Sequence, residues 1–270
     1  MQNLFNVKDQ VVVITGGAGI LGRGMAEYMA AQGCKVVILD RSEEAGSALV
    51  AELTAKGADA SFFYCDVLNK EVLDQNAADI VAKYGRIDVL VNAAGGNMPG
   101  ATIGPDKTIF DLEIDAFKKV VDLNLFGTVM PTMVFAKIMV DQKVGSIINI
   151  SSESAIRPLT RVVGYGASKA AVTNFTKYMA TELATKFGAG LRVNAIAPGF
   201  FLTEQNRALM TNTDGSLTAR GEKIIDHTPF GRFGNPDELF GTLHWLASDA
   251  SKFVTGTLIV VDGGFDVFCI

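Results

Sequence analysis

The segment VVVITGGAGILGRGMAEYMA (11–30) decides the fold, because it joins a strand pattern to a helix pattern through a glycine-rich loop. Residues 11–15 are an uninterrupted apolar run, typical of a strand that is buried on both faces. Gly17, Gly19 and Gly22 follow in the order G-x-G-x-x-G and open the helix. Such a loop permits a tight turn and lets backbone amides approach a pyrophosphate at the helix N-terminus. The segment therefore predicts the first βα unit of a dinucleotide-binding fold.

An acidic residue follows at the distance expected for such a fold. Asp40 ends the second strand pattern, 18 residues after Gly22. A carboxylate there hydrogen-bonds the adenosine ribose hydroxyls and repels a 2′-phosphate, which favours NAD over NADP as the cofactor. Arg41 keeps NADP open, since a guanidinium can receive that phosphate. The alternative, that the glycines serve only a sharp turn, does not account for the strand, the helix and Asp40 together.

Apolar runs recur along the chain and alternate with helical patterns. The runs are residues 11–15, 35–40, 60–65, 87–92, 145–151, 191–197 and 257–262. A helical pattern such as 42–57 opens with a serine cap and an acidic first turn and closes with glycine. Repeated β-α units with right-handed crossovers form open, doubly wound sheets. We therefore predict an α/β fold: one Rossmann domain over residues 1–270, with a mostly parallel seven-stranded sheet and helices on both faces.

One region breaks this alternation. Residues 199–235 form a long polar insertion between the sixth and seventh strand patterns. Long segments of this kind in compact domains are functional lids or disordered loops. Because the segment follows the carboxyl end of a strand, where open α/β sheets bind ligands, we predict a substrate lid.

Composition excludes several classes of function. The net charge of −5, with no run rich in lysine or arginine, argues against a nucleic-acid partner. Three cysteines are too few and odd in number for a disulfide framework, which favours a reducing cytoplasmic setting. The two histidines lack the spacing of metal ligands, so no metal is expected. No apolar segment approaches the roughly 18 residues of a membrane span, and no signal-peptide pattern opens the chain, so no membrane partner is expected.

Hydroxyl and amine side chains cluster in SSESAIRPLTRVVGYGASK (151–169). Tyr165 and Lys169 are four residues apart in a helical pattern and share one face. A free tyrosine has a pKa of about 10, and an ammonium beside it stabilises the phenolate and lowers that pKa toward the working range of a general acid or base. Ser152 follows the fifth strand, where its hydroxyl could bind a substrate oxygen. The Y-x-x-x-K pattern alone is common on helix surfaces and indicates nothing specific.

Taken together, the motifs resemble the short-chain dehydrogenase/reductase family along nearly the whole chain. They occur in the family's order: TGGAGILG (15–22), Asp66-Val67, NAAG (92–95), NLFG (124–127), SS (151–152), YGASK (165–169), PGFFLT (198–203) and VDGG (261–264). The resemblance implies an NAD(P)-dependent oxidoreductase that acts on a small-molecule alcohol or ketone. It also implies a homo-oligomer, with a homotetramer as the expected state.

The resemblance assigns roles to individual residues. Tyr165 is implied to be the general acid/base, Lys169 to bind the nicotinamide ribose and tune the tyrosine, and Ser152 to orient the substrate. Asn124 is implied to kink its helix and hold a proton-relaying water. The implied cofactor contacts are Gly16, Gly17, Gly19, Ile20, Leu21, Gly22, Asp40, Arg41, Asp66, Val67, Asn92, Ala93, Ala94, Gly95, Tyr165, Lys169, Pro198, Gly199, Phe201 and Thr203.

The glycine loop departs from the usual pattern of compact family members. Those carry T-G-x-x-x-G-x-G, which would place glycine at position 20, whereas this chain has Ile20 and instead Gly19. The observed spacing is that of longer members acting on nucleotide sugars. Those members carry a separate C-terminal substrate domain, for which 270 residues leave no room. The VDGG ending also belongs to the compact members, so we retain the compact assignment.

The chain resembles a branch of the family described as D-mannonate oxidoreductase or fructuronate reductase. Four strings carry this resemblance: GGNMP (95–99), SAIRPLTRVVGY (154–165), PGFFLTEQNR (198–207) and HTPFGRFGNP (227–236). That branch interconverts sugar acids, so a guanidinium could bind a substrate carboxylate through paired donors. Arg157 and Arg161 are the first candidates, and Arg207 and Arg232 compete with them. The alternative is that Arg157 and Arg161 are solvated or paired with Glu153, Glu204 or another subunit. The full set of candidate substrate contacts is Asn97, Ser152, Ser154, Arg157, Arg161, Gln205 and Asn206.

Two other functions stay open at this point. A dehydrogenase of an uncharged polyol, or of another sugar acid such as gluconate, would carry the same motifs. A protein that binds NAD(H) only as a sensor would need no proton relay, which disfavours it here.

Overall fold

The computed structural model describes residues 3–204 and 206–269, which fold around one central sheet. Its strands are β1 (Val11–Thr15), β2 (Lys35–Asp40), β3 (Ala60–Tyr64), β4 (Val89–Asn92), β5 (Gly145–Ile150), β6 (Leu191–Pro198) and β7 (Leu258–Val261). They lie in the order β3-β2-β1-β4-β5-β6-β7, and every pair is parallel. The predicted seven-stranded sheet is confirmed, with strand ends that shift by one or two residues.

The helices cover both faces of the sheet. They are α1 (Ile20–Ala31), α2 (Glu43–Ala55), α3 (Lys70–Tyr84), α4 (Ile114–Val121), α5 (Gly127–Gln142), α6 (Val163–Phe187), α7 (Arg207–Met210), α8 (Ala219–Asp226) and α9 (Phe240–Ala247). Apolar residues of α1, α2 and α9 form the core on one face. Those of α3, α5 and α6 form the core on the other face. This is the doubly wound arrangement expected from the sequence.

Local signals place the helix ends as predicted. The Ser42 side chain caps α2 by accepting a hydrogen bond from the Ala45 amide at 3.3 Å, and Glu43 and Glu44 occupy the first turn. Such a cap satisfies one of the amides that a helix leaves unpaired at its start. The sheet order reverses between β1 and β4, so the helices that follow these strands diverge and open a crevice at the carboxyl edge.

The segment 199–235 is folded. It contains α7 and α8, which are joined through an antiparallel bridge between Thr211 and Leu217. A parallel bridge between Phe201 and Gly234 brings its two ends together. The Thr218 side chain caps α8 and donates a hydrogen bond to the Leu209 carbonyl at 2.8 Å. The segment is therefore a small helical layer beside the carboxyl edge, and its role as a lid stays a prediction.

One apolar stretch is longer than the sequence pattern suggested. A π-helical turn joins α4 to α5, so residues Ile114–Gln142 are helical for 29 residues and are long and apolar enough to cross a membrane. The expectation that no segment reaches this length was therefore wrong. In the fold, Phe135 and Met139 of this stretch are fully buried in the core below the sheet. Core helices of sheet proteins meet the same criterion, so this is weak support for a membrane span.

Candidate active site

A cleft of about 480 Å³ opens at the carboxyl edge of the sheet, where the connections that follow β1 and β4 diverge. Its walls include most residues predicted to contact a cofactor. These are Gly16, Gly19, Ile20, Leu21, Gly22, Asp40, Arg41, Val67, Ala93, Ala94, Gly95, Tyr165, Pro198, Gly199, Phe201 and Thr203. The fold thus gathers residues from the ends of several strands into one elongated site.

The glycine loop leaves no space for side chains at three positions, Gly16, Gly17 and Gly22. A Cβ on Gly17 would lie 2.9 Å from the Ile14 carbonyl oxygen. Gly16 has a φ of +62°, and a Cβ there would lie 2.8 Å from the Ala94 Cα. A Cβ on Gly22 would overlap the Gly16 carbonyl oxygen. Gly19 donates its amide to the same carbonyl at 3.0 Å and directly precedes Ile20, the first residue of α1. The loop therefore folds against the start of α1 with Gly19 in place and without a glycine at position 20.

Asp40 lies at the cleft with both carboxylate oxygens engaged by the backbone. Oδ2 accepts a hydrogen bond from the Ala18 amide at 3.1 Å, and Oδ1 accepts one from the Ser42 amide at 3.0 Å. These bonds fix the carboxylate beside the glycine loop, where the ribose of a dinucleotide is expected. Arg41 is exposed at the same end of the cleft. The glycine loop and the Asp40 carboxylate therefore fit a dinucleotide.

Four predicted cofactor residues lie outside the cleft wall: Gly17, Asp66, Asn92 and Lys169. Asn92 is buried, and its amide donates to Thr132 and Asn149 at 2.9 and 2.8 Å. It therefore ties β4 to β5 and α5. Asp66 accepts a hydrogen bond from the Leu68 amide at 3.0 Å and shapes the loop after β3.

The predicted reactive side chains meet at one end of the cleft. Ser152 and Tyr165 both line it, and the Ser152 hydroxyl accepts hydrogen bonds from the amide and hydroxyl of Ser154 at 3.2 and 3.0 Å. Lys169 lies behind them, 3% exposed, and its Nζ donates to the Ile150 carbonyl at 2.7 Å. This Nζ is 5.5 Å from the centroid of the Tyr165 ring.

Burial dominates the ionisation of this pair. It lowers the pKa of Lys169 to about 8, because the ammonium is withdrawn from water. It also raises the pKa of Tyr165, while hydrogen bonding with Ser152 acts in the opposite direction. The Tyr165 pKa is therefore shifted upward, opposite to the direction expected from the sequence. At neutral pH the phenol is protonated and Lys169 is mainly charged.

Asn124 lies in the π-helical turn Asp122–Phe126 between α4 and α5. Its side chain accepts a hydrogen bond from the Gly96 amide at 3.0 Å and donates to the carbonyls of Gly96 and Val120 at 2.7 and 2.8 Å. A Cβ on Gly95 would lie 2.7 Å from Asn124 Oδ1 and 3.3 Å from Lys169 Nζ. Asn124 and Lys169 therefore approach the same glycine behind the cleft, at a helix distortion of the kind common at functional sites.

The predicted substrate residues separate into two groups. Asn206 lines the cleft. Its side chain accepts a hydrogen bond from the Thr203 amide at 2.8 Å and donates one to the Phe201 carbonyl at 2.7 Å, which fixes the start of the segment 199–235. Asn97 and Ser154 do not line it; Asn97 donates to Thr102 at 2.9 Å. Gln205 lies outside the described residues.

Three of the four candidate arginines are in ion pairs. Arg157 donates from Nε to Asp266 at 2.9 Å, Arg207 pairs with Glu204 at 3.3 Å, and Arg232 pairs with Glu238 at 2.6 Å. Glu204, named as a possible partner of Arg157 or Arg161, is thus paired with Arg207 instead, and Arg157 takes a partner from the C-terminal segment. Arg161 alone of the four forms no ion pair with a carboxylate in the described part of the chain.

Sequence reasoning missed several residues of the cleft. They are Cys65, Leu123, Ile150, Ser151 and Phe200. Each is next to a residue of a recognised motif, at a strand end or in the π-helical turn. Its position in the cleft therefore follows from its neighbour, although its own side chain has no chemistry that would have singled it out in the sequence. Within residues 3–204 and 206–269, no cluster of three or more ligating side chains could hold a metal ion.

Comparison with known proteins agrees with this geometry. Residues 16–266 match a short-chain dehydrogenase/reductase family model described as "Enoyl-(Acyl carrier protein) reductase". The chain is 45% identical, over 96% of both sequences, to the "Uncharacterized oxidoreductase UxuB" of Bacillus subtilis. A crystal structure from Haemophilus influenzae with bound NAD, provisionally described as a D-mannonate oxidoreductase, is 37% identical, with a TM-score of 0.92 over 98% of this chain and 97% of the other.

A second solved structure carries the other nicotinamide cofactor. The gluconate 5-dehydrogenase of Burkholderia cenocepacia, in complex with NADP and tartrate, is 32% identical with a TM-score of 0.86 over 98% of each chain. Similar proteins have thus been solved with NAD or with NADP bound. The chain belongs to the short-chain dehydrogenase/reductase family and is an NAD(P)-using oxidoreductase that acts on CH–OH donors.

Proposed function

We propose that this protein is an NAD(H)-dependent oxidoreductase that interconverts a secondary alcohol and a ketone of a sugar acid, with D-mannonate and D-fructuronate as the pair. The observation that carries the proposal is the convergence of Ser152 and Tyr165 on one end of the cleft, with buried Lys169 behind them. The similarity to the Haemophilus influenzae structure supports the choice of sugar acid.

When bound, the nicotinamide cofactor supplies or accepts the hydride. The chain's own residues manage the oxygen and its proton. Ser152 holds the substrate oxygen, and Tyr165 gives that oxygen a proton during reduction. The raised pKa of Tyr165 keeps the phenol protonated at neutral pH, which suits proton donation. Lys169 and Asn124, adjacent behind Gly95, restore the tyrosine's proton.

The decisive experiment supplies D-fructuronate with NADH and, separately, with NADPH, and follows the loss of absorbance of the reduced nicotinamide. We expect rapid oxidation of NADH with fructuronate. Oxidation of NADPH alone would retain the chemistry but overturn the cofactor preference. Activity only with other sugar acids or with uncharged ketoses would overturn the choice of substrate, while the assignment as an oxidoreductase would stand.

The preference for NAD rests on Asp40 and gives a second prediction. Asp40→Ser removes the charge that repels a 2′-phosphate, so the ratio of kcat/KM for NADH to that for NADPH should fall about 10- to 100-fold, the equivalent of roughly 1.4–2.8 kcal/mol. Arg41→Ser is the opposing comparison, because it removes the guanidinium that can receive a 2′-phosphate, and its ratio should not fall. An unaltered ratio in Asp40→Ser would remove this carboxylate from cofactor choice.

Gluconate is the second candidate substrate. It is favoured by the similarity to the gluconate 5-dehydrogenase of Burkholderia cenocepacia, whose crystal holds tartrate, another acid. Both candidates share a hydroxylated chain that ends in a carboxylate. The site must therefore recognise the same acidic group in either case.

The proposed setting is a homotetramer in a reducing cytoplasm. Apolar residues on α4–α6 and the turn between them are exposed in the single chain, including Ile114, Met133 and Tyr178 at 59%, 63% and 60%. A second copy of the chain would cover such a face. Cys34, Cys65 and Cys269 are unpaired in the described residues, which suits a reducing compartment.

A further inference from the structure

The C-terminal segment, residues 262–269, begins directly behind the cleft. A Cβ on Gly199, which lines the cleft, would lie 2.6 Å from the Asp262 Cβ, so the two backbones are in close contact. The Gly199 amide also donates a hydrogen bond to the Val261 carbonyl at 2.9 Å. The segment therefore starts at a fixed position next to the carboxyl end of β6.

A hydrogen-bonded turn gives the C-terminal segment a defined shape. The Asp262 carboxylate accepts hydrogen bonds from the Gly264 amide at 2.8 Å and from the Asp266 amide at 2.6 Å. Gly263 and Gly264 have φ values of +67° and +93°, which residues with a side chain rarely adopt. Because one carboxylate holds both amides, a displacement of Phe265 also displaces Asp266.

Phe265 contacts the wall of the cleft that follows β6. It is buried, and its ring centroid lies 5.0 Å from that of Phe200 and 5.2 Å from that of His227, in T-shaped geometry with both. Phe200 lines the cleft, whereas Phe265 does not. Aromatic pairs at these distances attract each other beyond the effect of burial alone. Phe265 therefore supports the Phe200 side of the cleft from behind.

Asp266 contacts the other wall, the turn that follows β5. Its carboxylate lies 2.9 Å from Arg157 Nε. The Arg157 amide donates to the Glu153 carbonyl at 3.0 Å, and the Ala155 amide donates to the Ser152 carbonyl at 3.0 Å. These bonds connect Asp266, through one hydrogen-bonded turn, to Ser152, which lines the cleft. Two adjacent residues of the C-terminal segment therefore reach two different walls.

Arg157 takes part in this connection and is not placed to bind the substrate. It does not line the cleft, and its Nε is engaged by Asp266. Both side chains are partly exposed, and a partly exposed ion pair adds little to the stability of a fold. The main effect of the pair is to connect the C-terminal segment to the turn that carries Ser152.

We propose that the C-terminal segment sets the spacing of the two walls at the substrate end, with Phe265, Asp266 and Arg157 as positioning residues. A small displacement of either wall moves substrate-facing groups out of their productive geometry. Asp40 follows β2, which is separated from β5 by β1 and β4, so the segment should control KM for the substrate and leave NADH affinity unchanged. This inference rests on the proposed function only for fructuronate as the substrate of the kinetic test.

Arg157→Gln and Asp266→Asn test the ion pair, separately and combined. Each should raise KM for fructuronate about 2- to 5-fold, as expected for a partly exposed pair, while kcat changes little. The double variant should be no worse than either single variant, because both remove the same interaction. Exchange of the two charges, Arg157→Asp with Asp266→Arg, should restore KM. If KM rises far more in Arg157→Gln than in Asp266→Asn, Arg157 binds the substrate directly and the proposal is wrong.

Asp249→Asn is the matched control for the ion pair. Asp249 forms a partly exposed ion pair with Lys252 at 2.8 Å, and neither residue lines the cleft. Its replacement should change neither KM nor kcat. A rise in KM equal to that of Asp266→Asn would show that the loss of any surface pair has this effect, and would overturn the proposal.

Phe265→Leu tests the aromatic contact and keeps an apolar side chain. KM for fructuronate should rise about 3- to 10-fold, in line with the loss of an aromatic pair, while NADH affinity in a fluorescence titration stays unchanged. Phe253→Leu is the control, because the Phe253 ring is fully exposed, and it should change neither quantity. A parallel loss of NADH affinity in Phe265→Leu would indicate general damage to the site and overturn the positioning role.

Hydrogen exchange in the NADH complex gives a readout that needs no substrate. Backbone amides of residues 152–157 and 227–234 are hydrogen-bonded and report on the two walls. Phe265→Leu and Asp266→Asn should each accelerate exchange in both regions, because the turn at Asp262 moves as one unit. Faster exchange only in the region that the replaced residue contacts would overturn the proposal. If the wild type does not turn over fructuronate, the proposed substrate is wrong, and the exchange measurement still decides the role of the segment.

Discussion

Replacing Tyr165 with phenylalanine should reduce kcat about 10²- to 10⁴-fold, the range attributed to a positioned general acid or base. The variant retains the ring that lines the cleft and loses only the hydroxyl that exchanges a proton with the substrate. Binding of NADH should therefore be preserved, as measured by fluorescence titration. The two measurements together distinguish a lost proton from a damaged cofactor site.

Tyr178→Phe is a matched control for this variant. Tyr178 lies on the same helix, α6, is 60% exposed in the single chain, and does not line the cleft. Its replacement should change neither kcat nor NADH binding. Turnover of Tyr165→Phe close to that of the wild type would remove Tyr165 from the reaction, and a parallel loss of NADH affinity would assign it to binding instead.

The structure adds a reason why Lys169 must work with Tyr165. Burial alone raises the tyrosine pKa, which favours the acid and disfavours the phenolate needed for alcohol oxidation. Lys169 is the ionisable group directly behind the ring, and its pKa of about 8 lets it give up or take back a proton near neutrality. The pair can therefore serve both directions, with oxidation favoured at higher pH.

The fold was predictable because its determinants are local. The apolar run 11–15 and the glycines after it specify a strand, a turn and a helix within 20 residues. The spacing of Tyr165 and Lys169 was also informative, since residues four apart share a helix face. The departure at Ile20 fits the fold, because its side chain is 42% exposed at the start of α1, whereas the backbone excludes a Cβ at Gly16, Gly17 and Gly22.

The substrate end was less predictable because its contacts join distant parts of the chain. Arg157 pairs with Asp266, 109 residues away, and nothing in the sequence connects them. The buried state of Tyr165 also depends on packing, so spacing alone predicted the wrong direction for its pKa.

Glu153 is a second group whose pKa is shifted by packing. It follows Ser152 directly and is 1% exposed, and neither carboxyl oxygen has a hydrogen-bond partner among the described residues. The groups near it are Asp262 and Asp266 of the C-terminal segment and Arg157 of its own loop, while α6 packs against the same turn. Burial, followed by the two acidic neighbours, raises the pKa of Glu153 from 4.5 to about 7, with Arg157 opposing the shift.

This shift predicts that stability falls as pH rises. The folded protein holds the Glu153 proton more tightly than the unfolded chain does, so the stabilising contribution is complete below about pH 4.5 and is lost as pH rises through about 7. The loss corresponds to about 3 kcal/mol in the free energy of unfolding, from 2.5 pKa units at 1.36 kcal/mol each. Glu153→Gln keeps the shape of the protonated acid and cannot ionise.

Urea unfolding at about pH 4.5 and pH 8 measures this difference. Relative to the wild type, Glu153→Gln should gain about 3 kcal/mol between the two pH values, because only the wild type must bury a charge at the higher one. Glu44→Gln, at an exposed position of α2, should show no such gain. If the free energy of unfolding depends equally on pH in the wild type and in Glu153→Gln, the Glu153 carboxylate is ionised in the folded protein and its charge is balanced there by other groups.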